Sequence, residues 1–355
     1  MMRADPATPL PPPSPLRLTI DREALAANWR ALDALSGEAT TGAAVKANAY
    51  GLGVDTVVPI LREAGARDFF VAHWGEVPAV ARHVDPRSIA VLHGPVTAQE
   101  ATFGKSIGAR PVINSLEQAR LWQQAGGGPC DLMVDTGINR LGLPPALLGD
   151  PAVVALQIDT LLSHLASADE DSPLNERQRT LFAAIARSIP ARRRSLANSA
   201  AIALGPEYAF DLTRPGLALY GGVPRGELAQ HIRQVVRPQV QVIQLRDLSP
   251  GDAVGYNATF LAERPMRAAT VALGYADGFL RSWSGRGILR CGEAELPLIG
   301  RVSMDMSVLD VSDAPDLRTG DWLEVDYALP QAAERSGMSQ YELLTLLGQR
   351  FDRTC

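Results

Sequence analysis

Between Leu16 and about Gln230 the chain alternates short apolar runs with longer stretches of helical period. The runs are GAAVK (42–46), FFVAH (69–73), IAVLHG (89–94), RPVIN (110–114), LMVDTG (132–137), DTLLSH (159–164), RSLANS (194–199) and FDLTRPG (210–216). They read as eight strands separated by amphipathic stretches. In SLEQARLWQQAG, residues Leu116, Ala119, Leu121 and Trp122 approximate one helix face behind a cap at Ser115, and DREALAANWRALDAL begins at a second cap, Asp21. Eight strand-plus-helix units in roughly 200 residues predict an α/β fold, a (β/α)8 TIM-like barrel. A doubly wound sheet is the alternative, but no G-x-G-x-x-G follows the first strand, so dinucleotide binding loses its main support.

After about Arg237 the pattern changes. VQVIQLRDL, RAATVALGY, GILRCG, VSMDMSVLDV and DWLEVDY alternate apolar with polar positions, with Gly, Asp and Pro turns between them. They predict a mostly β domain over 237–355, with a return to helical period in SQYELLTLLGQR, and leave 16–236 to the barrel. Residues 1–15, MMRADPATPLPPPSP, hold six prolines and no apolar signal-peptide core, and read as a loose tail.

Composition narrows the function. A chain of 355 residues that is 46% hydrophobic can bury a large core. Its net charge of -5, with both signs interspersed, offers no basic stripe for nucleic acid. No run approaches the ~18 to 20 apolar residues needed to cross a bilayer. The expectation is a soluble, cytoplasmic protein with neither nucleic acid nor membrane as partner. Cys130, Cys291 and Cys355 lie far apart with no His at ligand spacing, so neither a disulfide framework nor a metal site is expected.

In an α/β barrel the C-terminal strand ends carry the chemistry. Those ends hold Lys46, Arg140 just past VDTG, His164, Asn198 with Ser199, and Arg214. Each alone has a plain reading: a solvated rim charge, a hydrogen-bonded histidine, an arginine closing a turn. Together they fit a cofactor bearing an aldehyde and a phosphate. A lysine in apolar surroundings loses part of its preference for charge, which frees its amine to form a Schiff base. Pyridoxal 5'-phosphate needs that lysine, a phosphate cradle and a partner for its ring nitrogen. Tyr50, Ser199 and the N–H groups around Gly216 and Leu217 suit the phosphate. Arg214 suits the ring nitrogen, which facing a protonated guanidinium must accept a hydrogen bond and stay unprotonated.

These residues sit in motifs that resemble the bacterial alanine racemases, fold-type III pyridoxal-phosphate enzymes. AVKANAYGLG, VDTGINRLG, SHLASADE, LANSAA, RPGLALYGG, VGYNATF, LGYADGFLR and IGRVSMDM occur in the family's order, and the resemblance runs from about Leu16 to the C-terminus. It implies a barrel, a C-terminal β domain and a head-to-tail homodimer with shared active sites, supplying D-alanine for peptidoglycan. Lys46 matches the cofactor-linked lysine, which is also the base on the D-alanine face. Tyr256, from the other subunit, matches the base on the L-alanine face, with His164 and then Arg214 behind it. Arg140 resembles the arginine that holds the substrate carboxylate, and the backbone of Met304 resembles its other contact. Tyr275 with Asp305 matches the inner entrance of a substrate channel, and Asp169, Arg281 and Arg301 its outer polar layer.

Two positions depart from the family. Met133 stands where many members have a lysine, often carbamylated, that orients the carboxylate-binding arginine; Asn139 or a bound anion such as chloride is a candidate substitute. Gln349 stands before Arg350 where a phosphate-contacting tyrosine is expected, and an amide there is the candidate replacement. The alternatives to alanine as substrate are serine or a broader set of amino acids. A non-catalytic pyridoxal-phosphate carrier and a decarboxylase of the same fold type are the weaker ones.

Overall fold

The computed structural model describes residues 12–355, so residues 1–11 of the expected loose tail lie outside the described residues. Ser14 and Pro15, at the end of that stretch, are held in place. The Ser14 N–H donates to Asp352 at 2.8 Å, and the Pro15 carbonyl accepts from the Gln241 N–H at 2.9 Å.

Seven of the eight apolar runs carry strands of one parallel sheet, in chain order: Ala43–Ala44, Phe69–Val71, Ile89–Val91, Arg110–Ile113, Pro129–Met133, Gln157–Leu162 and Arg193–Ser195. Phe69–Val71 and Ile89–Val91 are buried at every position, as befits strands covered on both faces. The sheet curls. The eighth run forms Leu212–Thr213, which pairs in parallel with Thr40–Thr41 immediately before the first strand of the sheet. On its other side the chain is tied back to the last strand, where Asp211 N donates to Arg194 O at 3.0 Å and Arg214 N to Ala197 O at 2.8 Å.

The outer helices begin where their caps predict. Asp21 accepts from the Ala24 N–H ahead of Arg22–Leu35, and Ser115 accepts from the Gln118 N–H ahead of Leu116–Gln124. Ala24, Leu25, Trp29 and Leu32 form the inner stripe of the first helix.

The second sheet is mostly antiparallel and holds Met266–Val271, Ser307–Asp310, Ala294–Ile299, Ile288–Cys291, Trp322–Val325, Val236–Leu248, Leu16–Ile20 and Asp352–Thr354. The long strand Val236–Leu248 pairs with Trp322–Val325 and, from Val242 onward, with Met266–Val271, that second pairing shifting register between Val242 and Gln244. The bulge accompanies the bend that brings this inner strand back onto Met266–Val271, the end strand of the sheet. Leu16–Ile20 lies within the range expected for the barrel, yet it pairs antiparallel with Val236–Leu248 and parallel with Asp352–Thr354. Its alternating burial, with Leu16, Leu18 and Ile20 inward, fits that one-sided sheet. Among the described residues no helix is long and apolar enough to cross a membrane.

Candidate active site

At the C-terminal ends of the parallel strands lies a cavity of about 660 Å³. Lys46, Tyr50, Arg140, His164, Ser199, Arg214, Gly216 and Leu217, all singled out from the sequence, line it together. Among the described residues no carboxylate lines it. Two arginines and a lysine around a roomy, partly apolar hollow suit an anionic ligand.

The chain turns sharply after Lys46. Ala47, Asn48, Ala49 and Tyr50 all adopt left-handed backbone, with φ of 54°, 53°, 55° and 55°. Four consecutive non-glycine residues in that region cost roughly 1–2 kcal/mol each, so surrounding contacts must hold them there. The Asn48 side chain accepts from the Val54 N–H at 2.9 Å, and the Gly51 N–H donates to the Ala47 carbonyl at 2.9 Å. The turn brings Tyr50 back into the cavity, stacked on Tyr220 at 4.7 Å between ring centroids. Tyr220 is itself fixed, its hydroxyl donating to the Ala44 carbonyl at 2.8 Å.

Burial, then Arg140 and Arg214, lower the pKa of the Lys46 amine, against an opposing pull from Glu76. The lysine is therefore biased toward its neutral, nucleophilic form. His164 is driven down to about 3 by burial and by Arg214, Arg140 and Lys46, and is neutral at physiological pH. Arg214 is buried and held down to about 10 by that burial, with Asp131 opposing, so it stays protonated near neutrality. Its two terminal nitrogens donate to the Ser195 hydroxyl and, at 2.6 Å, to the Ser163 carbonyl.

The corner around Gly216 is equally specific. The Ser199 hydroxyl accepts from the N–H groups of Gly216 at 2.9 Å and Ala218 at 3.2 Å. A Cβ on Gly216 would stand 2.2 Å from the Tyr50 hydroxyl, so only glycine fits between that phenol and the backbone. Two hydroxyls and the backbone around Gly216 thus converge on one corner, which suits a phosphate.

Arg140 follows a loop shaped by Asp135, whose Oδ1 accepts from the N–H groups of Gly137, Ile138 and Asn139. Met133 is buried and lines the cavity below it. Among the described residues the Arg140 side chain makes no hydrogen bond, to Asn139 or to any other group.

The remaining expected residues lie elsewhere. Tyr256, Tyr275, Arg281, Arg301, Met304 and Asp305 belong to the second domain and do not line the cavity, and neither does Asp169. The six from the second domain gather on a surface of their own, whereas Asp169 lies near Tyr341 at the cavity, where burial and then the Asp169 charge push the Tyr341 phenol up. Tyr256 is 66% exposed and Met304 53%. Tyr275 N donates to Ser303 O at 3.0 Å, the Arg281 guanidinium lies 5.5 Å over the Tyr275 ring, and Gly255 backs onto the Arg301 backbone. Arg350 ties this surface down, donating to Asp305 at 2.7 Å and to both oxygens of buried Asp277.

Gln349, whose amide is the expected replacement for a C-terminal tyrosine hydroxyl, is exposed and outside the cavity. The C-terminal hydroxyl nearest Tyr50 in the lining is that of Tyr341. Tyr341 is the second residue of the short helix Gln340–Thr345, and it sits 6.3 Å from Tyr50 between ring centroids. His93 and Ile138 in the lining also went unpredicted.

Two family models cover most of the chain: "Alanine racemase, N-terminal domain" matches residues 20–224 and "Alanine racemase, C-terminal domain" matches residues 235–355. The alanine racemase of Rhodospirillum rubrum is 44% identical, with 95% of this chain and 94% of that protein covered. The biosynthetic alanine racemase of Agrobacterium fabrum is 41% identical over 96% of this chain and 93% of its own. Among solved structures, alanine racemase from Bartonella henselae with covalently bound pyridoxal phosphate superposes with a TM-score of 0.89 at 35% identity, covering 97% of this chain and 99% of that one.

Proposed function

The chain belongs to the alanine racemase family, and from that premise we propose that it interconverts L- and D-alanine with pyridoxal 5'-phosphate held in the cavity and a second copy of the chain completing the site. The observation that carries this reading is the cavity itself, where a lysine of lowered pKa meets two arginines with no carboxylate among its lining. We read the curled parallel sheet, with Leu212–Thr213 closing onto Thr40–Thr41, as a complete (β/α)8 barrel.

Lys46 would carry the cofactor, Arg214 would donate to its ring nitrogen, and Tyr50, Ser199, Gly216 and Leu217 would hold its phosphate. When bound, pyridoxal phosphate supplies an aldehyde that links to amino groups and a ring that spreads the negative charge left when a Cα proton departs. Arg140 would bind the alanine carboxylate through its free guanidinium. Racemisation takes a proton from one face of Cα and returns one to the other, so it needs two groups on opposite sides. Lys46 Nζ serves the D-alanine face. Tyr256 Oη, lying outside the cavity of its own chain, serves the L-alanine face when delivered by a second copy, and the backbone of that copy's Met304 would be the other contact to the substrate carboxylate. Neutral His164 and cationic Arg214 would stabilise the phenolate that this role requires. Tyr275, Asp305, Arg281, Arg301 and Asp169 would line the approach.

The same reading makes the protein a head-to-tail homodimer and a supplier of D-alanine for peptidoglycan in the cytoplasm, a compartment that suits its unpaired cysteines. Borohydride reduction followed by peptide mapping tests the centre of it. Label should fall on Lys46 and abolish alanine racemisation; a different trapped lysine overturns the assignment.

A further inference from the structure

The parallel ladder between the first two strands ends abruptly beside Lys46. Its registered pairs are Ala43 with Phe69 and Ala44 with Phe70, and the last rung is the Val45 N–H donating to the Phe70 carbonyl at 2.9 Å. Beyond that rung the first strand enters the left-handed turn and can no longer pair with its neighbour. Two backbone donors are left at the frayed end, the N–H of Ala47 and the N–H of Ala72, and each must find another acceptor.

Both find Glu76. One carboxylate oxygen accepts from Ala47 at 2.6 Å and the other from Ala72 at 2.7 Å. Glu76 ends the single turn Trp74–Glu76 that follows the second strand, so its side chain folds back across the gap between the two strands. Charge-assisted bonds to N–H groups are the stronger kind, and a carboxylate is the one side chain that offers an acceptor to each donor. The clamped residue, Ala47, directly follows Lys46 and opens the four-residue left-handed segment.

We propose that Glu76 is a positioning residue for Lys46: its carboxylate splices the ends of two strands, fixes the start of the left-handed turn and so aims the lysine amine into the cavity. The proposal rests on the cofactor reading above. Its charge acts in the same place, since Glu76 opposes the burial and the arginines that drive the Lys46 amine toward neutrality. Glutamine offers one acceptor and turns an amide N–H₂ toward the other donor. Aspartate keeps the charge but is one methylene too short to span the gap.

The test compares two ligands that share a ring and a phosphate. Pyridoxal 5'-phosphate can link to Lys46, whereas pyridoxamine 5'-phosphate lacks the aldehyde and cannot. For Glu76→Gln the expected result is about a tenfold or greater loss of affinity for pyridoxal phosphate, with pyridoxamine phosphate within about twofold of wild type. Equal loss for both ligands would assign Glu76 to general upkeep of the rim, and no loss for either would leave it without a role; both results overturn the proposal. A second comparison, in a Lys46→Ala background, guards against partial misfolding. There Glu76→Gln should have no further effect on either ligand, and a further loss would show that it acts on something other than the lysine. Failure of the wild-type chain to take up pyridoxal phosphate would instead be a failure of the cofactor assignment, visible before any variant is compared.

Discussion

In the proposed mechanism Lys46 and Tyr256 face the same requirement in opposite surroundings. The lysine must shed a proton to act, and burial beside two arginines favours that loss. The phenol must also shed one, yet Tyr256 is 66% exposed and its hydroxyl makes no hydrogen bond among the described residues. The groups that could stabilise its anion lie in the cavity, which its own chain does not let it reach. Tyr256→Phe should therefore lower kcat by on the order of 10² to 10⁴, the usual worth of one acid-base group, while leaving the bound-cofactor absorbance intact. It should change stability by less than about 0.5 kcal/mol, because an exposed unbonded hydroxyl contributes little to folding. Near wild-type turnover would remove Tyr256 from the mechanism. At this scale the cavity half of the site was legible, because Lys46, His164, Ser199 and Arg214 end apolar runs where a strand meets the rim. Glu76 was not. In FFVAHWGEV it reads as one more surface charge, and its work on two backbone N–H groups leaves no mark in composition or spacing.

At the scale of elements, the stretch KANAYGLG is where local propensity and the fold part company. Two alanines and a lysine favour an ordinary right-handed turn, yet residues 47–50 wind the other way. Contacts from outside the segment override the preference: Glu76 at its start, and behind it Gly51, where a Cβ would come within 2.7 Å of the Leu344 carbonyl. That second contact comes from almost the far end of the sequence, as does Tyr341, which explains why neither was foreseen. The parallel strands were legible for the converse reason, since burial on both faces writes itself into a short run as continuous apolarity. The close approach of the turn to the 214–218 loop gives a direct prediction. In Gly216→Ala the new methyl would lie 2.2 Å from the Tyr50 hydroxyl and 2.9 Å from its ring carbon. Either the phenol or the loop must move, and both belong to the proposed phosphate corner. Affinity for pyridoxal phosphate should fall by about tenfold or more, and overpacking should cost the fold roughly 1–3 kcal/mol. Spectrophotometric titration and thermal unfolding would measure the two effects, and an alanine variant with wild-type cofactor affinity would free that corner from the phosphate.

At the scale of the whole molecule, the expected site residues other than Asp169 fall into two sets that one chain keeps apart. One set lines the cavity; the other forms an exposed face around Tyr256, Tyr275 and Met304, pinned by Arg350 between Asp277 and Asp305. A head-to-tail pair of chains would unite each cavity with the other chain's face. Sequence reasoning could name both sets from motifs, but one chain supplies no distance between them. The pairing makes a quantitative prediction that no monomeric enzyme would satisfy. Lys46→Ala and Tyr256→Phe should each be nearly inactive alone. Mixed under conditions that let subunits exchange, half the dimers become heterodimers. In each of these, one site draws its lysine from the Tyr256→Phe chain and its tyrosine from the Lys46→Ala chain, so it is intact, while the other site lacks both groups. Random exchange should restore about one quarter of wild-type activity. Alanine racemisation assayed before and after exchange measures it. No recovery, with mixed dimers verified by mass spectrometry, would mean that Lys46 and Tyr256 do not meet across the interface.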